Sequence, residues 1–156
     1  KGQPAQTITP GAPCTLVIAD TGIASGTHAV VADVRRAWEG ARARYEDLFD
    51  ACGAIAQAGR AALETGDLAR LASLMNENQA VLQQIGVSSP ELDRLVAAAR
   101  AAGARGAKLC GAGRGGNMIA LVEPTGAAAV AAAVRAAGAA GVIITTIGAS
   151  AGEHVT

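Results

Sequence analysis

At 156 residues the chain is long enough for one domain with a sizeable core, and its 13 Lys and Arg balance its 13 Asp and Glu. It therefore has no whole-chain field to favour nucleic acid or an anionic membrane, and one Trp, one Tyr and one Phe leave little surface for stacking on bases. Arg, Glu or Gly interrupts every long apolar run, so no segment reads as a membrane span, and no charged-then-apolar leader opens the chain.

Cys14, Cys52 and Cys110 are odd in number and far apart, and with two histidines they offer no zinc spacing. Reduced thiols in a cytoplasmic protein are the expectation, and no metal site is expected. Residues 1–13, with three prolines and two glycines, read as a linker arriving from an upstream domain. Residues 14–150 read as the folded domain and 151–156 as a tail.

The run Cys14–Ala19 is a short β-branched strand, and Asp20–Thr27 is a turn. Ser25 or Thr27 is the expected N-cap of a helix from His28 to about Glu39, marked by Val30, Val31, Val34 and Trp38. Helical spacing resumes from Ala41 to about Thr65. Asp67 caps a third helix carrying Leu68, Leu71, Met75, Leu82 and Ile85, and Gly86 ends it. Ser89 caps a fourth helix with Pro90 at its first position. Strands at Ala107–Cys110 and Met118–Val122 follow, then a helix over Thr125–Ala137 and a strand at Val142–Ile147. With the helical block as one crossover the order is β-α-β-β-α-β. The expected fold is α+β, ferredoxin-like (split βαβ), an antiparallel four-stranded sheet with a multi-helix insertion and helices on one face.

Between the second and third strands lies Gly111-Ala-Gly-Arg-Gly-Gly116, four glycines in six residues. Glycine admits positive φ and close backbone approach. Successive N–H groups in such a turn can form an anion-binding concavity, with Lys108 and Arg114 adding positive charge. A glycine-rich hairpin loop with no ligand is the alternative.

Three segments carry a resemblance: Val17-Ile-Ala-Asp-Thr-Gly-Ile-Ala-Ser-Gly-Thr-His-Ala-Val-Val31; Leu74-Met-Asn-Glu-Asn-Gln-Ala-Val-Leu-Gln-Gln-Ile-Gly-Val87; and Lys108-Leu-Cys-Gly-Ala-Gly-Arg-Gly-Gly-Asn-Met-Ile119. In this order they resemble the C-terminal domain of the GHMP kinases, most of all the mevalonate kinase branch, from about Cys14 to Gly148. Cys110 stands where that family usually has Thr or Ser, Asn117 where Cys is common, and Gln79 where His is common.

The resemblance implies transfer of the ATP γ-phosphate to a small-molecule hydroxyl, the 5-hydroxyl of mevalonate in the nearest branch, with ATP and magnesium as cofactors of the full-length enzyme. The family's N-terminal domain, with its Pro-x-x-x-Gly-Leu-Gly-Ser-Ser phosphate loop, catalytic carboxylate and lysine, is not in this sequence. It is the implied partner, and the chain alone is expected to be inactive. The sister kinases of phosphomevalonate, homoserine or sugars are alternatives, as is a non-catalytic domain that binds a small anion or a partner.

The resemblance further implies substrate contacts from Thr27 and Ser25, and a nucleotide-facing loop of Gly111, Ala112, Gly113, Arg114, Gly115 and Gly116. No residue of this chain is assigned a catalytic role. Thr27 as a plain helix cap is the competing reading. Asp20 reads as a turn acceptor rather than a general base, and Glu77 as a helix charge. His28 and His154 lack metal partners. The cluster Arg35, Arg36, Arg42 and Arg44 reads as a solvated helix face, with a homodimer contact as the alternative.

Overall fold

The computed structural model describes residues 7–24 and 26–148. Its elements are β1 (Cys14–Asp20), α1 (Thr27–Gly40), α2 (Arg42–Thr65), α3 (Leu68–Ile85), α4 (Pro90–Ala101), β2 (Gly106–Cys110), β3 (Asn117–Val122), α5 (Ala127–Ala136) and β4 (Gly141–Ile147). The strands lie in the order β2-β3-β1-β4, every pair antiparallel, with Val17 opposite Ala120 on one side and Ile144 on the other. This is the split-βαβ, ferredoxin-like arrangement, with α1–α4 as the enlarged first crossover.

Local chemistry sets the helix ends. The Asp67 carboxylate accepts from the Arg70 N–H at 2.9 Å, and Gly86 closes α3 in the left-handed region that glycine adopts without penalty. Ser89 caps α4, with Pro90 at its start and Glu91 and Asp93 in its first turn, where acids complement the helix dipole. Two ends differ from expectation. Gly26 is the N-cap of α1, its carbonyl accepting from Ala29 and Val30, so Thr27 is the first helical residue and not the cap. Pro124–Gly126 forms a 3-10 turn, so the last helix begins at Ala127 rather than Thr125.

Alternation along the strands gives the sheet two different faces. Val17, Ala19, Ala107, Leu109, Met118 and Ala120 point into the main core, against Leu92, Leu95 and Val96 of α4 and Val130 and Val134 of α5. Leu16, Ile119 and Leu121 point the other way, into a second cluster with Leu63 of α2 and Leu68, Leu71, Ala72 and Met75 of α3. Helices therefore reach both faces. The expectation of one covered face holds for α4 and α5, while the α2–α3 pair wraps around the β2 edge. The segment before β1 is already fixed to this body, because the Gly11 N–H donates to the Leu63 carbonyl at 2.9 Å.

An edge strand leaves a row of backbone groups unpaired. On β2, α3 meets the N–H groups of that row with side-chain amides one turn apart, and the Ala107 carbonyl accepts from Arg100 of α4 at 2.7 Å. Asn76 accepts from the Ala107 N–H at 3.1 Å and donates to the Arg105 carbonyl at 3.2 Å. Gln79, 1% exposed, accepts from the Leu109 N–H at 2.8 Å. Its amide nitrogen donates to Asp93 at 3.1 Å and Ser88 at 3.2 Å, and Ser88 in turn donates to Asp93 at 2.6 Å.

Gln79→Ala leaves the Leu109 N–H without its partner, and we expect a loss of about 1–3 kcal/mol in urea unfolding. Gln83→Ala, which removes only a solvent-facing bond to the same Asp93, should cost less than about 0.5 kcal/mol.

The candidate site at the glycine loop

The glycine loop leaves β2 at Cys110, and its geometry explains its composition. Gly111, Gly113, Gly115 and Gly116 all take positive φ, and Arg114 between them has φ 55°, the one described non-glycine residue in that region. Gly113 and Gly115 are buried, and a Cβ on either would collide with a carbonyl oxygen, that of Val87 or of Ile23. Gly111 is exposed, with open space where a side chain would go.

The loop is sewn to two neighbouring turns. The Arg114 N–H donates to the Val87 carbonyl at 2.8 Å, and the Gly116 N–H to the Ile23 carbonyl at 2.9 Å. The Thr21 N–H and hydroxyl both donate back to the Gly116 carbonyl, at 2.9 and 3.0 Å. Two of the N–H groups read as an anion cradle thus serve the fold. The Gly111–Ala112 end of the loop instead borders an apolar pocket of about 240 Å³, formed with Val30, Val31 and Val34 of α1 and Leu82 and Ile85 of α3.

Thr27 precedes Val30 and Val31 by three and four residues, which puts it on the same face of α1, one turn nearer the N-terminus. It is exposed, at the positive end of a 14-residue helix with no acid in its first turn. The depression is lined by the Gly111–Ala112 edge, and Thr27 lies one helical turn before its α1 residues without lining it. Ser25 lies outside the described residues.

Arg114 is held differently from the sequence expectation. Its guanidinium pairs with Asp33 of α1, which also pairs with Arg36, and its Nε donates to the Gly86 carbonyl at 3.1 Å. Arg114 thereby clamps the loop to α1 and to the α3–α4 turn. Lys108 donates to the Leu109 carbonyl at 2.7 Å and lines a space between α2 and α3. Of the two cations read beside the loop, one is ion-paired and the other faces the helix pair.

The remaining candidates have these surroundings. Asp20 accepts from the Gly22 N–H at 2.9 Å, as a turn residue does. Glu77 is bound by Arg70 and Ser73 on its own helix. His28 is exposed, and His154 lies outside the described residues. Among the described residues no group of three or more His, Cys, Asp or Glu is placed to hold a metal, and no helix is long and apolar enough to cross a membrane. Arg35 pairs with Glu39, and Arg42 stacks on Trp38 at 4.6 Å.

Residues 60–140 match the family described as GHMP kinases C terminal, and the chain belongs to it. It is 40% identical over 109 residues to the mevalonate kinase of Aeropyrum pernix, covering 70% of this chain and 34% of that one. A galactokinase of Roseiflexus is 49% identical over 67 residues, covering 42% of this chain and 17% of that one. The crystal structure of L. major mevalonate kinase in complex with R-mevalonate superposes with a TM-score of 0.86 at 35% identity, covering 91% of this chain and 44% of that one. The chain thus spans about a third of the length of the Aeropyrum relative.

The contrast between the two ends of the loop is measurable. Gly113→Ala should destabilise by several kcal/mol, combining left-handed strain of about 1–3 kcal/mol with the carbonyl collision. Gly111→Ala should show the strain alone, and urea midpoints of the two variants test the difference.

The clamp also has a pH signature. The hydrogen bond from Arg114, reinforced by Arg36, outweighs desolvation and holds the Asp33 carboxyl below its ordinary value. Its stabilisation is present above the unfolded carboxyl value near about 4 and is lost as pH falls through the lower folded value. Amide NMR shifts of Gly111–Gly116 should move across that window, and Asp33→Asn should show the acid-state shifts at neutral pH.

Proposed function

We propose that this chain is the C-terminal part of an ATP-dependent mevalonate kinase, transferring the ATP γ-phosphate to the 5-hydroxyl of mevalonate in cytoplasmic isoprenoid biosynthesis. The observation that carries the reading is the superposition on the mevalonate-bound L. major enzyme across nearly the whole chain. Phosphoryl transfer depends on positioning and charge stabilisation more than on covalent chemistry.

This chain supplies one wall of such a site. The α1 N-terminus offers unpaired N–H groups and its dipole to an anion, and the Thr27 hydroxyl adds a donor at the same end. The Gly111–Ala112 edge lets a ligand come close to the backbone. We assign the magnesium ion's protein ligands to the N-terminal domain of the family. That domain also supplies the phosphate loop, the catalytic carboxylate and the lysine. The galactokinase match favours, as a second reading, a sister kinase acting on a sugar.

This chain alone should release no ADP above background with ATP, magnesium and mevalonate, while the enzyme extended to include the N-terminal domain should turn over. Mevalonate-dependent turnover by the chain alone would defeat the proposal. A galactose-dependent rate in place of a mevalonate-dependent one from the extended enzyme would establish the second reading. In that enzyme Thr27→Ala should lower kcat/KM at least tenfold, about 1.4 kcal/mol of transition-state stabilisation. Because Thr27 is not the cap, its melting temperature should stay within about 2 °C of the parent.

A further inference from the structure

Of the thirteen Lys and Arg residues, only Lys1 and Lys108 are lysines. Arginine keeps its charge in any surroundings, whereas a desolvated lysine gives up its proton readily. The one lysine within the folded body therefore sits at a chosen place. It lines a pocket of about 240 Å³ between α2 and α3, together with Ile55 and Gly59 of α2 and Leu71, Leu74, Met75 and Asn78 of α3. On the α2 side the pocket is lined by small residues, Ala56 and Gly59, and a Cβ on Gly59 would come only to van der Waals distance of Leu71, 4.0 Å.

Among the described residues every ion pair is made by an arginine, and Lys108 has no carboxylate partner. One of its three N–H groups goes to the Leu109 carbonyl, and among the described residues no second acceptor meets the ammonium. Burial pushes its amine below the usual lysine value, and the Cys110 and Cys52 thiols are the nearby groups that oppose the shift. A partly desolvated cation at the end of an apolar pocket is costly unless an anion joins it.

We propose that this pocket binds a small amphipathic anion, its apolar tail between α2 and α3 and its carboxylate or phosphate head on Lys108. The volume fits a fragment-sized ligand, below the roughly 300–1,000 Å³ of pockets for drug-sized molecules. The site is distinct from the depression beside Gly111, has none of its lining residues, and does not depend on the kinase reading.

Backbone amide NMR of this chain, titrated with hexanoate and with hexyl phosphate, tests the proposal. The amides of Leu71–Asn78 should shift saturably, with a Kd near about 1 mM for the better head group. Hexanol, which lacks the charge, and acetate, which lacks the tail, should each bind at least tenfold more weakly. The relative affinity of the two probes assigns the head as carboxylate or phosphate. Lys108→Met should weaken the better probe at least tenfold, and Lys108→Arg should retain it.

Gly59→Leu fills the pocket from a helix position where glycine is unfavourable, so it should abolish binding without lowering the melting temperature. The proposal is overturned if neither probe gives a saturable shift, or if hexanol binds as well as hexanoate. It is equally overturned if Lys108→Met or Gly59→Leu leaves the affinity unchanged.

Discussion

The exposed edge of β2 is the constraint on which the rest of the molecule depends. A four-stranded antiparallel sheet has two edges, and this one leads directly into the glycine loop. Its outward N–H groups at Ala107 and Leu109 are met by Asn76 and Gln79, three residues apart on α3 and therefore on one helix face, while the Ala107 carbonyl accepts from Arg100 of α4. Two side-chain amides thus stand in for a neighbouring strand. They fix the position of α3 against β2 and so fix where the loop is launched. Gln79 gains rigidity from Asp93 and Ser88, which connect the edge to the start of α4. In such buried networks each member holds its neighbours, and a missing one leaves an unsatisfied group behind.

From that launch point the loop folds under strain that its contacts offset. Arg114 occupies the left-handed region at a cost of order 1–2 kcal/mol for a residue with a side chain. Its N–H reaches Val87, its Nε reaches Gly86, and its guanidinium meets Asp33. Two of these bonds tie the α3–α4 turn to the loop and the third ties α1 to it. A glycine at this position would relieve the backbone and keep the bond to Val87, but it would sever the link to α1 and the second bond to the α3–α4 turn at Gly86. The arginine side chain is thus taken up by anchoring contacts that join the loop to α1 and to the α3–α4 turn.

Local signals made much of this legible in the sequence. Asp67, Gly86, Ser89 and Pro90 have short-range roles, and the structure has each in its expected place. β-Branched runs located β1 and β3, the short segments Ala107–Cys110 and Val142–Ile147 located the other two strands, and the four loop glycines take the positive φ that glycine admits. The helix start at Thr27 was less legible, because a glycine can cap through its backbone alone and leaves no side-chain signal. The Asp33–Arg114 pair joins residues 81 apart, and neither is unusual in its own segment. Asn76 and Gln79 were visible only as part of a family motif. Their task depends on a strand some thirty residues downstream, and only tertiary packing brings the two together. Lys108 reads as a loop cation in sequence, yet strand alternation turns it toward the α2–α3 pair.

These placements bear on what one wall of a phosphate site can do. Asp33 lies between Arg36 and Arg114, so those three side chains leave a single net positive charge, held by an anchoring contact. The attraction left for an anion comes from the α1 N-terminus, worth about 0.3–1 kcal/mol at an exposed helix end, and from one hydroxyl. Transfer of a γ-phosphoryl group spreads charge over three oxygens and needs several cationic or hydrogen-bonding partners in place at once. A wall with so little free charge would bind nucleotide weakly by itself. It also would not compete with a more strongly charged opposite wall for the position of the phosphates. In the proposed site the apolar depression of Val30, Val31 and Val34 would then have a physical role: it would exclude water from one side of a bound anion and strengthen whatever electrostatics the other side provides.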